Sequence, residues 1–417
     1  MIQRHSEECR RAPLPSPTML RRPRRVIYIL VALLLLYLLI AYEPVPLPVL
    51  ARAPKKVTYD ARPTYEYLSL YRQKADLKFE AIVDEKLRSL EREIIKGLPN
   101  NQTRDTLVTN LTIWQLTNKK TAAELAAFAD QWRDNNKDWI YQLFTGTPGG
   151  LYDHFESVPE IANVNFTSKT VQDDLTRYLL LWFHGGFYAS VETWNRLALR
   201  DCSPIATVLQ HHKNTGLMIG VDRDEPYLSD ATLKDWQWAR GVGFGQTAMW
   251  AAVRFDPIIR KAIVRTISHA WTHEDMEKRT WREKYTAKVE GAIMEKLKAR
   301  VDYSGEISGN GMLTDIILET LSATLKKDHK LRDPDAGLEK RVTWRKFWKL
   351  REVLWIDGDQ LEEGSKDDIR GLTVLPINVW GSGKSHSRSG AFDSEEACIN
   401  HSPNWRPPKD LKKKIFG

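Results

Sequence analysis

Residues 171–199 read VQDDLTRYLLLWFHGGFYASVETWNRLAL. The first half, through His184, predicts a helix on which Asp174 and Arg177, at i and i+3, share a face. Gly185-Gly186 ends that helix and turns the chain. Phe187–Trp194 then predicts a strand, with Tyr188, Ser190, Glu192 and Trp194 on one side and Phe187, Ala189, Val191 and Thr193 on the other. A helix, a glycine pair and a strand that sets one carboxylate, Glu192, near its end make a usable cation site. Helix–glycine–strand units are common, so the surroundings must decide what this one does.

Around it, from residue 106 to 417, short apolar runs alternate with amphipathic stretches, the pattern of an α/β domain. Strands are predicted at Leu111–Gln115, Trp139–Phe144, Gly186–Thr193, Gly216–Val221 and Leu372–Ile377. Upstream, residues 43–105 read as a Pro-rich spacer (Glu43–Pro54) followed by a helical stem. In that stem Leu68, Tyr71, Ala75, Phe79, Val83, Leu87, Leu90 and Ile94 recur at helical spacing, and Gly97 and Pro99 stop it. Such a helix packs either on its own domain or on another subunit.

Val26–Tyr42 is a run of 17 residues without charge, Gly or Pro. As a helix it reaches roughly 25 Å, enough for a thin bilayer. Arg21, Arg22, Arg24 and Arg25 precede it and Glu43 follows, so residues 1–25 are expected in the cytosol and the body in a lumen, a type II arrangement. Ala51-Arg52-Ala53 resembles a signal-peptide cleavage site but lies nine residues past the span. The basic tail also explains the charge. Its seven arginines and two glutamates hold most of the net +8, so the body is no polyanion binder and nucleic acid is excluded as a partner. Sequons stand at Asn101, Asn110, Asn165 and Asn400. Cys202 and Cys398 would share an oxidising lumen, where they either pair or remain separate buried thiols.

Asp174-x-x-Arg177-Tyr178 followed by Gly185-Gly186-x-Tyr188 resembles the core of the DXD-type sugar transferases of glycosyltransferase family 32. Within that family the chain is similar to the fungal initiation-specific α-1,6-mannosyltransferases. Ile113-Trp114-Gln115, Gly220-Val221-Asp222, Phe244-Gly245-Gln246, Ser308-Gly309-Asn310 and Val374-Leu375-Pro376-Ile377 resemble family segments in the same order. His401 and Trp405 are similar to its terminal H…GSW. The resemblance implies a GT-A-like, Rossmann-type lumenal domain behind a single transmembrane signal-anchor and stem, on a Golgi membrane. It implies transfer of mannose from GDP-mannose to a glycan acceptor with Mn²⁺ or Mg²⁺. Trp114, Asp174, Arg177, Tyr178, Tyr188 and Ser190 would then bind the donor, and Glu192 and Asp222 would carry catalysis, with Glu192 on the metal.

One departure matters. The family's D-x-D falls on Ser190-Val191-Glu192, so the first carboxylate is a hydroxyl and the second a glutamate. Glu192 can still hold a cation whose other oxygens come from diphosphate and water. Two alternatives follow: a non-catalytic subunit of a mannosyltransferase complex, joined through the stem, or a family member acting on a glycolipid. Asp222-Arg223-Asp224 is a literal D-x-D but lacks the helix–glycine context.

Overall fold

The computed structural model describes residues 75–98, 111–117, 121–122, 125–146, 149–166, 168–211, 214–225, 240–278, 304–336, 340–364, 369–384 and 386–401. All belong to the unit formed by residues 54–417. In chain order the main elements are α1 (Leu77–Lys96), β1 (Thr112–Leu116), α2 (Ala126–Asn135), β2 (Ile140–Phe144), α3 (Lys169–His184), β3 (Gly186–Ala189), β4 (Thr193–Asn195) and α4 (Ser203–His211). They continue with β5 (Leu217–Asp224), β6 (Val242–Ala251), α5 (Pro257–Lys278), α6 (Asn310–Thr324), β7 (Leu354–Ile356), β8 (Leu372–Leu375) and β9 (Ile399–His401).

Seven strands form one sheet in the order β2-β1-β3-β6-β5-β8-β7, and β4 and β9 form a separate pair. β1 runs parallel to both β2 and β3, and β5 parallel to β8. β6 lies antiparallel to β3 and to β5, so the sheet is mixed. Strand alternation sends neighbouring residues to opposite cores. Tyr188 joins the core that holds α3, α5 and α6, whereas Phe187 joins Trp132, Trp250 and Trp380 on the other side.

The predicted strands at 111–115, 139–144, 216–221 and 372–377 match β1, β2, β5 and β8 to within about three residues at each end, as such boundaries allow. Two corrections are larger. β6 was not expected, because Gly243, Gly245 and the Gln246-Thr247 pair interrupt its apolar alternation. The strand expected to run on to Trp194 stops at Ala189. Residues 190–192 form a turn, closed by the Thr193 amide on the Ser190 carbonyl at 3.0 Å. Thr193 then starts β4, paired with His401 of β9.

The expected stem helix, whose apolar positions run from Leu68 to Ile94, is described from Leu77, where the Asp76 carboxylate accepts from the amides of Lys78 (3.0 Å) and Phe79 (3.2 Å). It packs on its own domain. Val83, Leu87 and Leu90 are buried in the α3–α5 core. Fully buried Arg260 of α5 pairs with Asp84 at 2.8 Å and with Glu91 at 3.5 Å. A stem boundary at residue 105 therefore cuts through a packed unit. The expected span Val26–Tyr42 lies outside the described residues, and no described helix is long and apolar enough to cross a membrane. Asn101, Asn110 and Trp405 also lie outside them.

Candidate functional site

The site starts at the glycine pair. Gly185 has φ +69° and Gly186 φ +96°, conformations that side-chain-bearing residues seldom adopt. A Cβ on Gly186 would stand 2.7 Å from both the Thr112 carbonyl and Trp114 Nε1. Trp114 in turn donates its indole N–H to the Gly185 carbonyl at 2.8 Å. The turn thus brings the end of α3 against β1 and aims β3 into the sheet.

Asp174 and Arg177 are not a surface pair. Their side chains are 4% and 11% exposed, and Arg177 Nη1 lies 2.9 Å from Asp174 Oδ1. Asp174 also accepts from Ser308 Oγ (2.7 Å) and Gln246 Nε2 (3.2 Å). Burial pushes its carboxyl up, against the pull of Arg177 and these donors. Arg177 Nη2 donates to the Tyr188 hydroxyl at 3.2 Å, and the guanidinium lies 4.4 Å above the Tyr188 ring. Tyr178 is fully buried and donates to Gln246 Oε1 (2.8 Å) and the Ser308 carbonyl (2.7 Å). It supports the cluster from inside and is not presented to a donor, which corrects the expected contact.

The altered motif stands on the turn after β3. Glu192 is exposed, and its carboxylate pairs with no described residue. Ser190 Oγ folds back to accept the Glu192 amide at 3.4 Å. The two side chains therefore share a turn, not one face of a strand. No group of three His, Cys, Asp or Glu side chains gathers as a metal cage among the described residues. The donor set still fits a hard cation that arrives with a diphosphate. It offers one carboxylate, that of Glu192, unpaired among the described residues, and the diphosphate and water supply the other oxygens.

Asp222 joins this site through a relay. It accepts from Asn310 Nδ2 at 2.9 Å, and Asn310 Oδ1 accepts the Gln246 amide at 3.1 Å. On its other side it is ion-paired with Lys384. Burial alone would raise its pKa, but Lys384 and then His401 hold it at about 2. Gly245 makes room for this pair, since a Cβ there would meet the Asp222 Cβ at 2.6 Å. Asp222 is thus a paired anion, whereas Glu192 is unpaired among the described residues. Asp224 points elsewhere: it accepts the Lys349 amide at 3.0 Å. Burial raises its pKa to about 6. Gln246, Ser308, Asn310 and Lys384 were assigned no role from the sequence, although the first three stand in the segments that carried the resemblance.

Away from this cluster, a disulfide joins Cys202, at the start of α4, to Cys398, beside β9. Asn165 is exposed, but Asn400 is 2% exposed and donates to the Phe392 carbonyl at 2.9 Å. Folded chains have no room for a glycan at Asn400, so that sequon is withdrawn.

No family model matches the chain. An initiation-specific alpha-1,6-mannosyltransferase of Candida albicans is 22% identical over 316 residues, which cover 70% of this chain and 71% of that one. A putative glycosyltransferase of Saccharomyces cerevisiae, HOC1, is 23% identical over 250 residues, 58% of this chain and 54% of its own length. The chain is similar to these two glycosyltransferases. That likeness agrees with the resemblance carried by Asp174, Arg177 and the glycine pair. A solved structure described as PaToxG Glycosyltransferase aligns with a TM-score of 0.27 and 13% identity over 58% of this chain and 80% of that chain. At that distance it fixes no residue correspondence. The likeness supports a transferase of the glycosyltransferase kind, with a nucleotide-sugar donor and an acceptor.

Proposed function

We propose that this protein is a type II membrane mannosyltransferase, moving mannose from GDP-mannose to a glycan acceptor in the Golgi lumen. The observation that supports it best is the buried Asp174–Arg177–Tyr188 cluster, followed in the chain, on the turn after β3, by the exposed Glu192, unpaired among the described residues. Arg177 carries a permanent charge in a fork fixed on both sides, suited to hold a donor's polar groups in one orientation. Asp174, saturated by three donors, keeps that fork in place. Glu192 would hold Mn²⁺ or Mg²⁺, which stabilises the charge of a departing diphosphate when bound. Asp222 lines the acceptor side. An α-linked donor giving an α-linked product makes the reaction retaining.

The Cys202–Cys398 disulfide supports an oxidising compartment. The charge step across residues 21–43 supports the type II topology. A second reading, a non-catalytic subunit of a mannosyltransferase complex, is favoured by Ser190. Its hydroxyl is turned onto the Glu192 amide, so only one carboxylate faces outward. The deciding experiment offers the full-length protein in detergent a panel of nucleotide sugars, with and without Mn²⁺. Cation-dependent turnover of GDP-mannose is expected. No turnover of any donor would leave the subunit reading in possession.

A further inference from the structure

Beneath the Ser190–Glu192 turn sits a side chain to which nothing above gives a purpose. Gln115, on β1, is fully buried. Burying an amide costs free energy unless both of its ends are satisfied, and an apolar residue would fill the same volume without that cost. Both ends are satisfied here. Gln115 Oε1 accepts the Tyr141 hydroxyl from β2 at 2.6 Å, and Gln115 Nε2 donates to the Ser190 carbonyl at 3.3 Å. That carbonyl also accepts the Thr193 amide (3.0 Å) and the Thr193 hydroxyl (2.5 Å). Thr193 is itself fully buried, and its own carbonyl takes the Trp132 indole N–H at 3.1 Å.

The Ser190 carbonyl fixes the plane of the peptide that leads into Val191. The next peptide carries Glu192, the one exposed and unpaired carboxylate of the motif. We propose that Gln115 is a positioning residue: oriented by Tyr141, it pins the Ser190 carbonyl and so holds the turn that presents Glu192 to a cation. This rests on reading Glu192 as the cation ligand. It also accounts for a motif that has lost one acid yet keeps an ordered turn. The order comes from β1 and β2 below and does not depend on a second carboxylate above.

Gln115→Met tests it, because Met keeps the length and bulk but drops both hydrogen bonds. Full-length wild type and variants are titrated with Mn²⁺ in the presence of GDP, and free Mn²⁺ is read by electron paramagnetic resonance. Gln115→Met should weaken Mn²⁺ binding about tenfold, the loss usual when a partner that orients a ligand is removed. GDP binding without metal should stay as in wild type. Tyr141→Phe, which removes only the hydroxyl that orients the amide, should weaken Mn²⁺ about threefold and guards against misfolding of the first variant. If both variants lower the melting temperature yet bind Mn²⁺ like wild type, Gln115 is core filling and the inference is overturned, while the reading of Glu192 survives. Glu192→Gln separates the two. Should it bind Mn²⁺ as well as wild type, the cation reading fails and takes this inference with it.

Discussion

At the scale of single residues, burial changes what a substitution at Arg177 tests. Removing one partner of a buried ion pair leaves the other charge uncompensated, so Arg177→Ala should cost about 3–5 kcal/mol of stability. Its loss of donor binding would then be confounded with unfolding. Arg177→Lys keeps the charge but cannot span Asp174 and Tyr188 with one planar fork. It should fold and bind GDP-mannose more weakly in calorimetry; equal affinities would sink the donor role. Glu192→Gln makes the complementary case. The side chain is exposed and unpaired, so stability should stay within about 0.5 kcal/mol of wild type. Mn²⁺-dependent transfer should nevertheless fall to a small residue in initial-rate assays, because the amide keeps the shape without the charge. Ser190→Asp should retain or raise the rate. An aspartate accepts a local backbone N–H as readily as a serine does, so the turn survives and a second acid is added.

At the scale of elements, what was legible in the sequence was local. The run from Asp174 to Tyr188 carries its own helix, its own stop and its own turn, and the structure keeps all three. The break after Ala189 was not legible, because residues 187–194 go on alternating through it. What ends β3 is non-local: Thr193 leaves the sheet to pair with His401, near the far end of the chain. The same reason hid Gln246, Asn310 and Lys384, whose partners lie tens of residues away or more. β6 was lost to its glycines, yet Gly245 is there because Asp222 crosses it. The β4–β9 pair also depends on the disulfide, since Cys398 precedes Ile399 and its carbonyl takes the amides of Arg196 (2.9 Å) and Leu197 (3.2 Å). The bond closes a separation of 196 residues. Replacing Cys202 and Cys398 together by Ala should cost about 2–5 kcal/mol. The melting temperature should drop, and dithiothreitol should reproduce the drop in wild type but not in the double variant. A wild type indifferent to reductant would show that the pair bears no load.

At the scale of the whole molecule, two expectations can be argued, one from charge and one from topology. Burial first, helped by neighbouring cations or histidine, lowers His184, His386 and His401 to about 4. A lowered pKa favours the neutral form in the fold. The stability it gives is full above the unfolded value near 6.5 and is lost as pH falls toward 4. Asp224, raised to about 6, acts oppositely, giving stability below about 3.8 that is lost as pH rises to 6. Burial raises Asp174 and Asp256 in the same direction as Asp224, so the histidine contribution is read as a difference: the melting temperature should climb more from pH 5 to pH 7 in wild type than in His386→Gln, and an equal change in the two would contradict these burials. The topological expectation follows from the arginine-flanked run at Val26–Tyr42 together with the burial of Asn400. If the body is lumenal, the cell-made protein should carry N-glycans, and endoglycosidase should lower its apparent mass. Asn165, exposed on the surface, should contribute one step that disappears in Asn165→Gln. Asn400 should contribute none, because a glycan there would break the bond to Phe392 and part β9 from β4, and chains so modified would not reach the folded state. Folded protein with a glycan at Asn400 would contradict the β4–β9 pairing. Folded protein with no glycans at all, and a body open to protease in sealed microsomes, would contradict the type II topology.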